Sequence, residues 1–189
     1  MEDLKQIDTE LTKGTFTPAM NFDNIQNMIP REDIGLYCIS VIDISDSGFN
    51  STIQGEFKQL FDKTNESIIY IGKAGKSIRE RLFQELRAKS NGTFFRSLGA
   101  VLNYEPPSGS LKNRTNKINY KFNKSDQDQI IKWINKHLEF NWVNCSQNIG
   151  SIEKELIKQH TPLLNIDGNP NASQLVKDKR KHCREIAAG

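Results

Sequence analysis

Two short strand-forming segments joined to a helix by a glycine turn constrain the fold of this chain most. The segments cover residues 35–42 and 67–72, and both are rich in β-branched and aromatic side chains, which favour extended backbone. Two glycines interrupt the second segment, and Ser77 followed three residues later by Glu80 matches a helix-capping box. We therefore predict that the chain passes from a strand through a tight turn directly into a helix.

The remaining periodicity predicts mostly helices. Apolar residues recur every three to four positions, which predicts helices at residues 77–89, 94–102, 149–160 and 172–187, with another beginning at Ser125 as its N-cap. A short helix is predicted at residues 56–61, and further strands are predicted at residues 117–122 and 140–143. Strands early and helices mostly after them favour an α/β or α+β fold, a small sheet with helices packed on it.

The length of 189 residues suits one domain with its own core. Residues 1–30 are polar with scattered apolar positions, and they are predicted to form an N-terminal arm. Residues 31–167 form the expected core domain, and the helix within residues 168–189 is expected to pack on that same domain.

Charge is distributed unevenly along the chain. The net charge is +3, yet residues 71–124 hold 12 Lys and Arg against three Asp and Glu. Residues 1–70 hold five against 12. A segment this basic projects a positive field that suits a polyanion, although a solvated surface of Lys and Arg is the plainer interpretation.

The sequence also indicates where the protein works. No stretch approaches the roughly 18 apolar residues that a membrane helix needs, and residues 1–13 show no secretory signal. The three cysteines are widely spaced and form no CxxC pair, so neither a disulfide framework nor a zinc ribbon is indicated. We expect a cytoplasmic protein.

Glu153 departs from the pattern of its helix. The apolar residues at positions 149, 152, 156 and 157 define a buried stripe, and Glu153 falls inside it. An ionised carboxylate facing a core is unfavourable unless a cation or hydrogen-bond donors meet it. From the residues alone, Glu153 is either a metal ligand or a partly exposed side chain paired with Lys or Arg.

Arg81 lies on the flank of the apolar stripe of the preceding helix. From there its guanidinium could point over the sheet edge into a cleft. The alternative is a surface ion pair with Glu85 one turn later, and the helix alone favours that alternative.

The motifs in combination resemble the GIY-YIG nuclease family. Gly35-Leu-Tyr37 and Tyr70-Ile-Gly72 are similar to the paired strands that name the family, and a helix with Arg81 follows. Glu153-Lys-Glu-Leu-Ile-Lys-Gln-His-Thr-Pro-Leu-Leu-Asn165 resembles the closing signature, which the nuclease subunit of bacterial excision repair shares in part. The resemblance covers about residues 34–166, and residues 85–111 look like those of small stand-alone bacterial members.

The resemblance implies a three-stranded antiparallel sheet flanked by helices, and an endonuclease that hydrolyses DNA, expected to be double-stranded, with one Mg²⁺ or Mn²⁺. Glu153 would hold the metal and Arg81 would clamp the phosphate. Tyr37 or Tyr70 would orient and deprotonate water, with its pKa lowered by a nearby Lys73. The expected role of Asn165 is to brace the segment that bears the metal ligand.

Three departures from the family pattern leave alternatives open. Residues 43–66 separate the two tyrosine strands, where the family has a short hairpin. The turn before the helix is one residue longer than in the repair subunit, so Arg79 competes with Arg81. Glu85 stands where many members have His or Tyr; it either substitutes as a base or second metal contact, or marks a non-catalytic nucleic-acid-binding module.

Beyond the site, the basic segment supplies the candidate contacts to the DNA backbone. These are Lys76, Arg79, Arg87, Lys89, Arg96, Lys112 and Arg114. No base-reading module is recognisable, so the insertion at 43–66 and the loop at 103–116 are the expected sources of sequence specificity.

Overall fold

The computed structural model describes residues 4–42, 67–90 and 92–189. Within this part of the chain there are four strands, β1 Thr17–Pro18, β2 Gly35–Val41, β3 Ile68–Ala74 and β4 Leu138–Asn144. The α-helices in the same part are α1 Leu4–Lys13, α2 Phe22–Ile25, α3 Ile78–Leu86, α4 Thr93–Val101, α5 Lys124–His137, α6 Ile149–His160 and α7 Gln174–Ala188.

The strands form one antiparallel sheet in the order β1-β4-β2-β3. Strand β2 lies in the middle, and Tyr37 is opposite Gly72 of β3 on one side and Trp142 of β4 on the other. The described sheet has four strands where three were expected, because the two-residue β1 in the N-terminal arm adds to the edge of β4.

Helices cover both faces of the sheet, as the mixed α/β expectation required. Tyr37 and Ile39 of β2 belong to the larger core, which also contains residues of α3, α4, α5 and α7. Leu36 and Cys38 point to the opposite face and pack with residues of α1 and α6. This alternation follows from the two-residue period of a strand.

The turn from β3 into α3 follows the predicted capping. The Ser77 hydroxyl accepts a hydrogen bond from the Glu80 amide at 3.2 Å, which satisfies one of the free donors at the start of α3. The helix ends at Leu86, earlier than the predicted Lys89, because Ala88 has a φ of 55° and a left-handed residue breaks helical hydrogen bonding.

The predicted strand at residues 117–122 is wrong. Asn116 accepts hydrogen bonds from the amides of Ile118 and Asn119 at 2.9 and 3.1 Å, and this local turn replaces any strand pairing. Tyr120 and Phe122 are nevertheless buried, which explains the strand-like sequence pattern.

The predicted N-cap of α5 is also wrong. Asn123 caps this helix in place of Ser125 and accepts from the Asp126 amide at 2.8 Å. The predicted helix at residues 56–61 and the insertion at 43–66 lie outside the described residues.

The N-terminal arm packs on the sheet through α1. Ile7 and Leu11 are buried in the second core, and Asn141 of β4 donates to the backbone carbonyls of Glu10 and Leu11. His160 at the end of α6 lies 2.6 Å from Asp8. Among the described helices, none is long and apolar enough to cross a membrane.

Candidate active site

A cleft of about 700 Å³ opens beside the edge strand β3. Tyr70 and Lys73 of β3, Arg81 of α3, Glu153 of α6 and Asn165 after α6 all line it. The structure therefore brings five of the seven candidate catalytic residues to one surface, although they are far apart in sequence. Tyr37 and Glu85 lie in the core next to it.

Tyr37 is completely buried, and its ring lies against Gly72 on the neighbouring strand. Its hydroxyl donates to Glu85 at 3.2 Å and accepts from Arg81 Nε at 3.2 Å. Its ring is also tilted against that of Tyr70, with the two ring centroids 6.2 Å apart. Tyr37 thus connects the first strand motif to the arginine helix.

Glu85 is completely buried and is met by four donor groups. Its Oε1 lies 2.8 Å from Arg81 Nη2 and accepts from Tyr37, while its Oε2 accepts from the amides of Phe94 and Phe95 at 2.9 and 3.4 Å. Burial raises the pKa of Glu85, and the Arg81 cation offsets part of that rise. A carboxylate enclosed in this way does not suit direct contact with a metal in the cleft.

Both phenols are neutral at physiological pH. Burial raises the pKa of Tyr70, and the nearby Glu85 carboxylate raises it further. The same two causes, in the same order, raise the pKa of Tyr37. A neutral phenol accepts a proton from water only if it passes its own proton onward.

Lys73 forms an ion pair with the candidate metal ligand. Its ammonium is 2.7 Å from Glu153 Oε2, whereas burial and then the Glu85 carboxylate have the largest effects on the pKa of Tyr70 and of Tyr37. The lowering of a tyrosine pKa by Lys73 stays a prediction, and the contact observed for Lys73 is with Glu153.

Asn165 clamps the chain after α6 onto β3. Its side chain accepts from the Ile71 amide at 2.9 Å and donates to the Ile71 carbonyl at 2.8 Å. The Leu164 amide adds a bond to the Ile69 carbonyl at 2.9 Å. These bonds fix the segment that follows Glu153 against the strand that carries Tyr70.

The described residues contain no cluster of three or more His, Cys, Asp or Glu able to hold a metal. Glu153 is a single carboxylate with 17% of its side chain exposed in the cleft, and Asp167 lines the same cleft. A hard divalent cation that keeps most of its waters suits such sparse oxygen ligation.

Burial argues against three of the expected phosphate contacts. Arg79 Nε donates to the Ile29 carbonyl at 2.9 Å, and Arg79 is 9% exposed. Arg87 pairs with Asp23 at 2.9 Å and donates to the Ala19 carbonyl at 2.8 Å. Arg96 is 7% exposed beside Tyr120. The other four expected contacts, Lys76, Lys89, Lys112 and Arg114, are exposed.

Burial also separates the two arginines that competed for the site. Arg81 lines the cleft with 29% of its side chain exposed, whereas Arg79 binds the carbonyl of Ile29 in the loop before β2.

The sequence analysis did not predict three other basic residues of the cleft, Lys154, Arg180 and Arg184. Arg180 and Arg184 belong to the basic last helix, and Lys154 directly follows Glu153 on α6, but neither feature alone places a side chain in the cleft.

Comparison with known proteins gives one result. A family model described as GIY-YIG catalytic domain matches residues 35–186. No curated protein and no solved structure matches the chain significantly. The matched region extends through most of α7, beyond the stretch that the sequence motifs covered.

Proposed function

The chain belongs to the GIY-YIG catalytic domain family, a family of nucleases, and from this premise we propose that it is a metal-dependent endonuclease that hydrolyses double-stranded DNA. One observation carries the proposal: Arg81 and Glu153, on different helices, line one cleft together with Tyr70. A cation clamp, an oxygen ligand and a water-orienting hydroxyl are the groups that phosphodiester hydrolysis requires.

Arg81 is the proposed phosphate clamp. Its three guanidinium nitrogens are each held by one partner: Nε by Tyr37, Nη1 by Gln84 at 3.1 Å and Nη2 by Glu85 at 2.8 Å. Each terminal nitrogen carries a second N–H, and those donors remain for a phosphate. A guanidinium fixed in this way loses little side-chain entropy when it binds.

Glu153 is the proposed ligand of one Mg²⁺ or Mn²⁺. When bound, such an ion would stabilise the negative charge that develops on the phosphate and on the departing 3′ oxygen. Lys73 holds the Glu153 carboxylate in the cleft and adds positive charge beside the phosphate. Asn165 holds the segment after α6 against β3 through its two hydrogen bonds with Ile71.

We propose that water is activated through a proton relay ending at Glu85. The water would give its proton to the Tyr70 oxygen while Tyr70 passes its own proton to Tyr37, and Tyr37 passes its proton to Glu85 Oε1. The contact between the two tyrosine rings and the hydrogen bond from Tyr37 to Glu85 support the path. The raised pKa of Glu85 makes it a stronger base than an ordinary carboxylate, whereas the buried phenols keep their own protons near pH 7 and cannot be the final acceptor. Glu85 then performs the base role without touching the cleft.

A second candidate function is a non-catalytic nucleic-acid-binding module. The Lys73–Glu153 ion pair favours it, because the ammonium already neutralises the carboxylate. This candidate retains DNA affinity and lacks cleavage with any divalent metal.

The test is plasmid cleavage with and without Mg²⁺ or Mn²⁺. We expect nicking or linearisation with metal, and its loss in a chelator or in Glu153→Ala. Glu155→Ala is the matched control, because Glu155 lies on the same helix and is exposed. Cleavage that persists undiminished in Glu153→Ala would refute the metal role, and DNA binding without cleavage would favour the second candidate.

A further inference from the structure

We propose that the face of α7 carrying Arg180 and Arg184 binds DNA backbone phosphates that flank the scissile one. This inference rests on the proposed function, since it names how the same cleft holds its substrate. Arg180 and Arg184 are one helical turn apart, so they share a face, and both line the cleft that contains Arg81 and Glu153.

The charge of the cleft lining suits an extended polyanion. Five of its side chains are Lys or Arg and two are Asp or Glu. The basic residues come from β3, α3, α6 and α7, with Lys154 on α6. A single phosphate needs only the Arg81 clamp, so cations drawn from four separate elements indicate several phosphates in a row.

Arg180 has unused hydrogen-bonding capacity. Its Nη1 donates to the Ser97 hydroxyl at 3.3 Å, and among the described residues its buried Nε has no acceptor. Arg96 lies close enough that burial and the Arg180 charge both lower the pKa of Arg96. A phosphate oxygen in the cleft can accept from the remaining N–H groups of Arg180.

Two other basic residues of α7 make contacts away from the cleft. Lys179 donates to Asn103 at 2.6 Å, and Lys181, with 67% of its side chain exposed, lies 3.8 Å from Glu185. These lysines do not line the cleft. Lys181 is therefore a matched control on the same helix with the same charge.

The experiment measures the binding of the full-length protein to a fluorescent duplex DNA by anisotropy, in a chelator and at several salt concentrations. Wild type is compared with Arg180→Gln, Arg184→Gln, the double variant and Lys181→Gln, after thermal melts show that each is folded. We expect roughly tenfold weaker binding for each arginine removed. The magnitude of the slope of log affinity against log salt should fall by about 0.9 for each phosphate that the protein no longer neutralises.

Equal effects of Lys181→Gln and the two arginine variants would overturn the inference, because removal of any positive charge would then suffice. Unchanged salt slopes in a folded double variant would overturn it as well. Wild-type protein that binds no DNA at low salt would instead refute the proposed function, so the two failures are distinguishable.

Discussion

The ring of Tyr37 lies against the backbone of Gly72, and a Cβ at position 72 would overlap both its hydroxyl and its ring carbons. The tyrosine of the first strand motif thus occupies the space left free by the glycine of the second. Because the same hydroxyl contacts Arg81 and Glu85, the fit of Tyr37 against Gly72 sets the position of the proposed phosphate clamp.

We expect Gly72→Ala to destabilise the fold by about 1–3 kcal/mol, since the added methyl group forces Tyr37 out of its place. The rate of DNA cleavage should fall as well, because Tyr37 contacts Arg81. Gly75→Ala is the control, because a Cβ there meets only Ile149, at 3.9 Å. Urea denaturation measures the difference, and equal stability of the two variants would contradict the proposed fit of Tyr37 against Gly72.

Tyr70→Phe is expected to lower the cleavage rate by roughly 10²- to 10⁴-fold, the range that general acid–base groups contribute. DNA affinity should stay unchanged, because the hydroxyl contributes no charge to the cleft. Tyr120→Phe removes another buried hydroxyl, outside the cleft, and should leave cleavage intact. Single-turnover rates and anisotropy together check this, and a cleaving Tyr70→Phe would exclude that phenol from water activation.

Glu85→Gln tests the end of the relay. Glutamine keeps an acceptor for Tyr37 but cannot take up a proton, so we expect a loss of cleavage as large as that of Tyr70→Phe. Glu80→Gln on the same helix is exposed and should cut normally. If Glu85→Gln remains folded by circular dichroism and cleaves at the wild-type rate, the proton does not go to Glu85.

Asn165→Ala removes two bonds at once and leaves the buried amide and carbonyl of Ile71 unpaired. Each unpaired group costs about 1–3 kcal/mol, so the free energy of unfolding should drop by about 2–6 kcal/mol. Asn144→Ala, which loses an exposed bond to Asp33, should change it by less than about 0.5 kcal/mol. A similar loss of unfolding free energy in both variants would mean that Asn165 does not brace the segment after Glu153.

Alkaline pH should destabilise the protein through its buried phenols. Burial raises the pKa values of Tyr37, Tyr70 and Tyr120 in the folded state, while an unfolded tyrosine titrates near about 10. Above that pH the unfolded state binds fewer protons than the native state, so the free energy of unfolding falls as pH rises. Below it the stability is fully retained. Tyr120→Phe should flatten this decline in denaturation series, and an identical decline would exclude Tyr120 as a contributor.

Several features encoded by neighbouring residues were predictable from the sequence, although the N-cap at Ser125 and the strand at residues 117–122 were predicted wrongly from equally local patterns. The N-cap at Ser77 was predicted from Ser77 and from Glu80 three residues later. Strands β2 and β3 were predicted from the β-branched and aromatic composition of their own segments. The grouping of Tyr70, Arg81 and Glu153 came from the order of family motifs, since no local pattern connects residues so distant in the chain.

Features that depend on distant partners were not predictable. Arg87 looks like a surface cation in the sequence, and only its contacts with Asp23 and Ala19 in the N-terminal arm make it structural. Arg180 is the opposite case, a residue that was not predicted for the site and lines the cleft. Helical periodicity alone does not show that it faces the cleft, because this depends on how α7 packs against α4.

The hydrogen bonds from Leu164 and Asn165 to β3 limit how copies of this protein can associate through their sheets. An open strand at the end of a sheet presents unpaired amides and carbonyls that can recruit a strand from another molecule. Backbone and amide groups already occupy those positions at Ile69 and Ile71. At the other end the sheet finishes in a strand of two residues, one of them Pro18, which cannot donate a backbone hydrogen bond. Both ends of the sheet formed by the described residues therefore resist intermolecular strand addition, and this protects the protein against aggregation by that route.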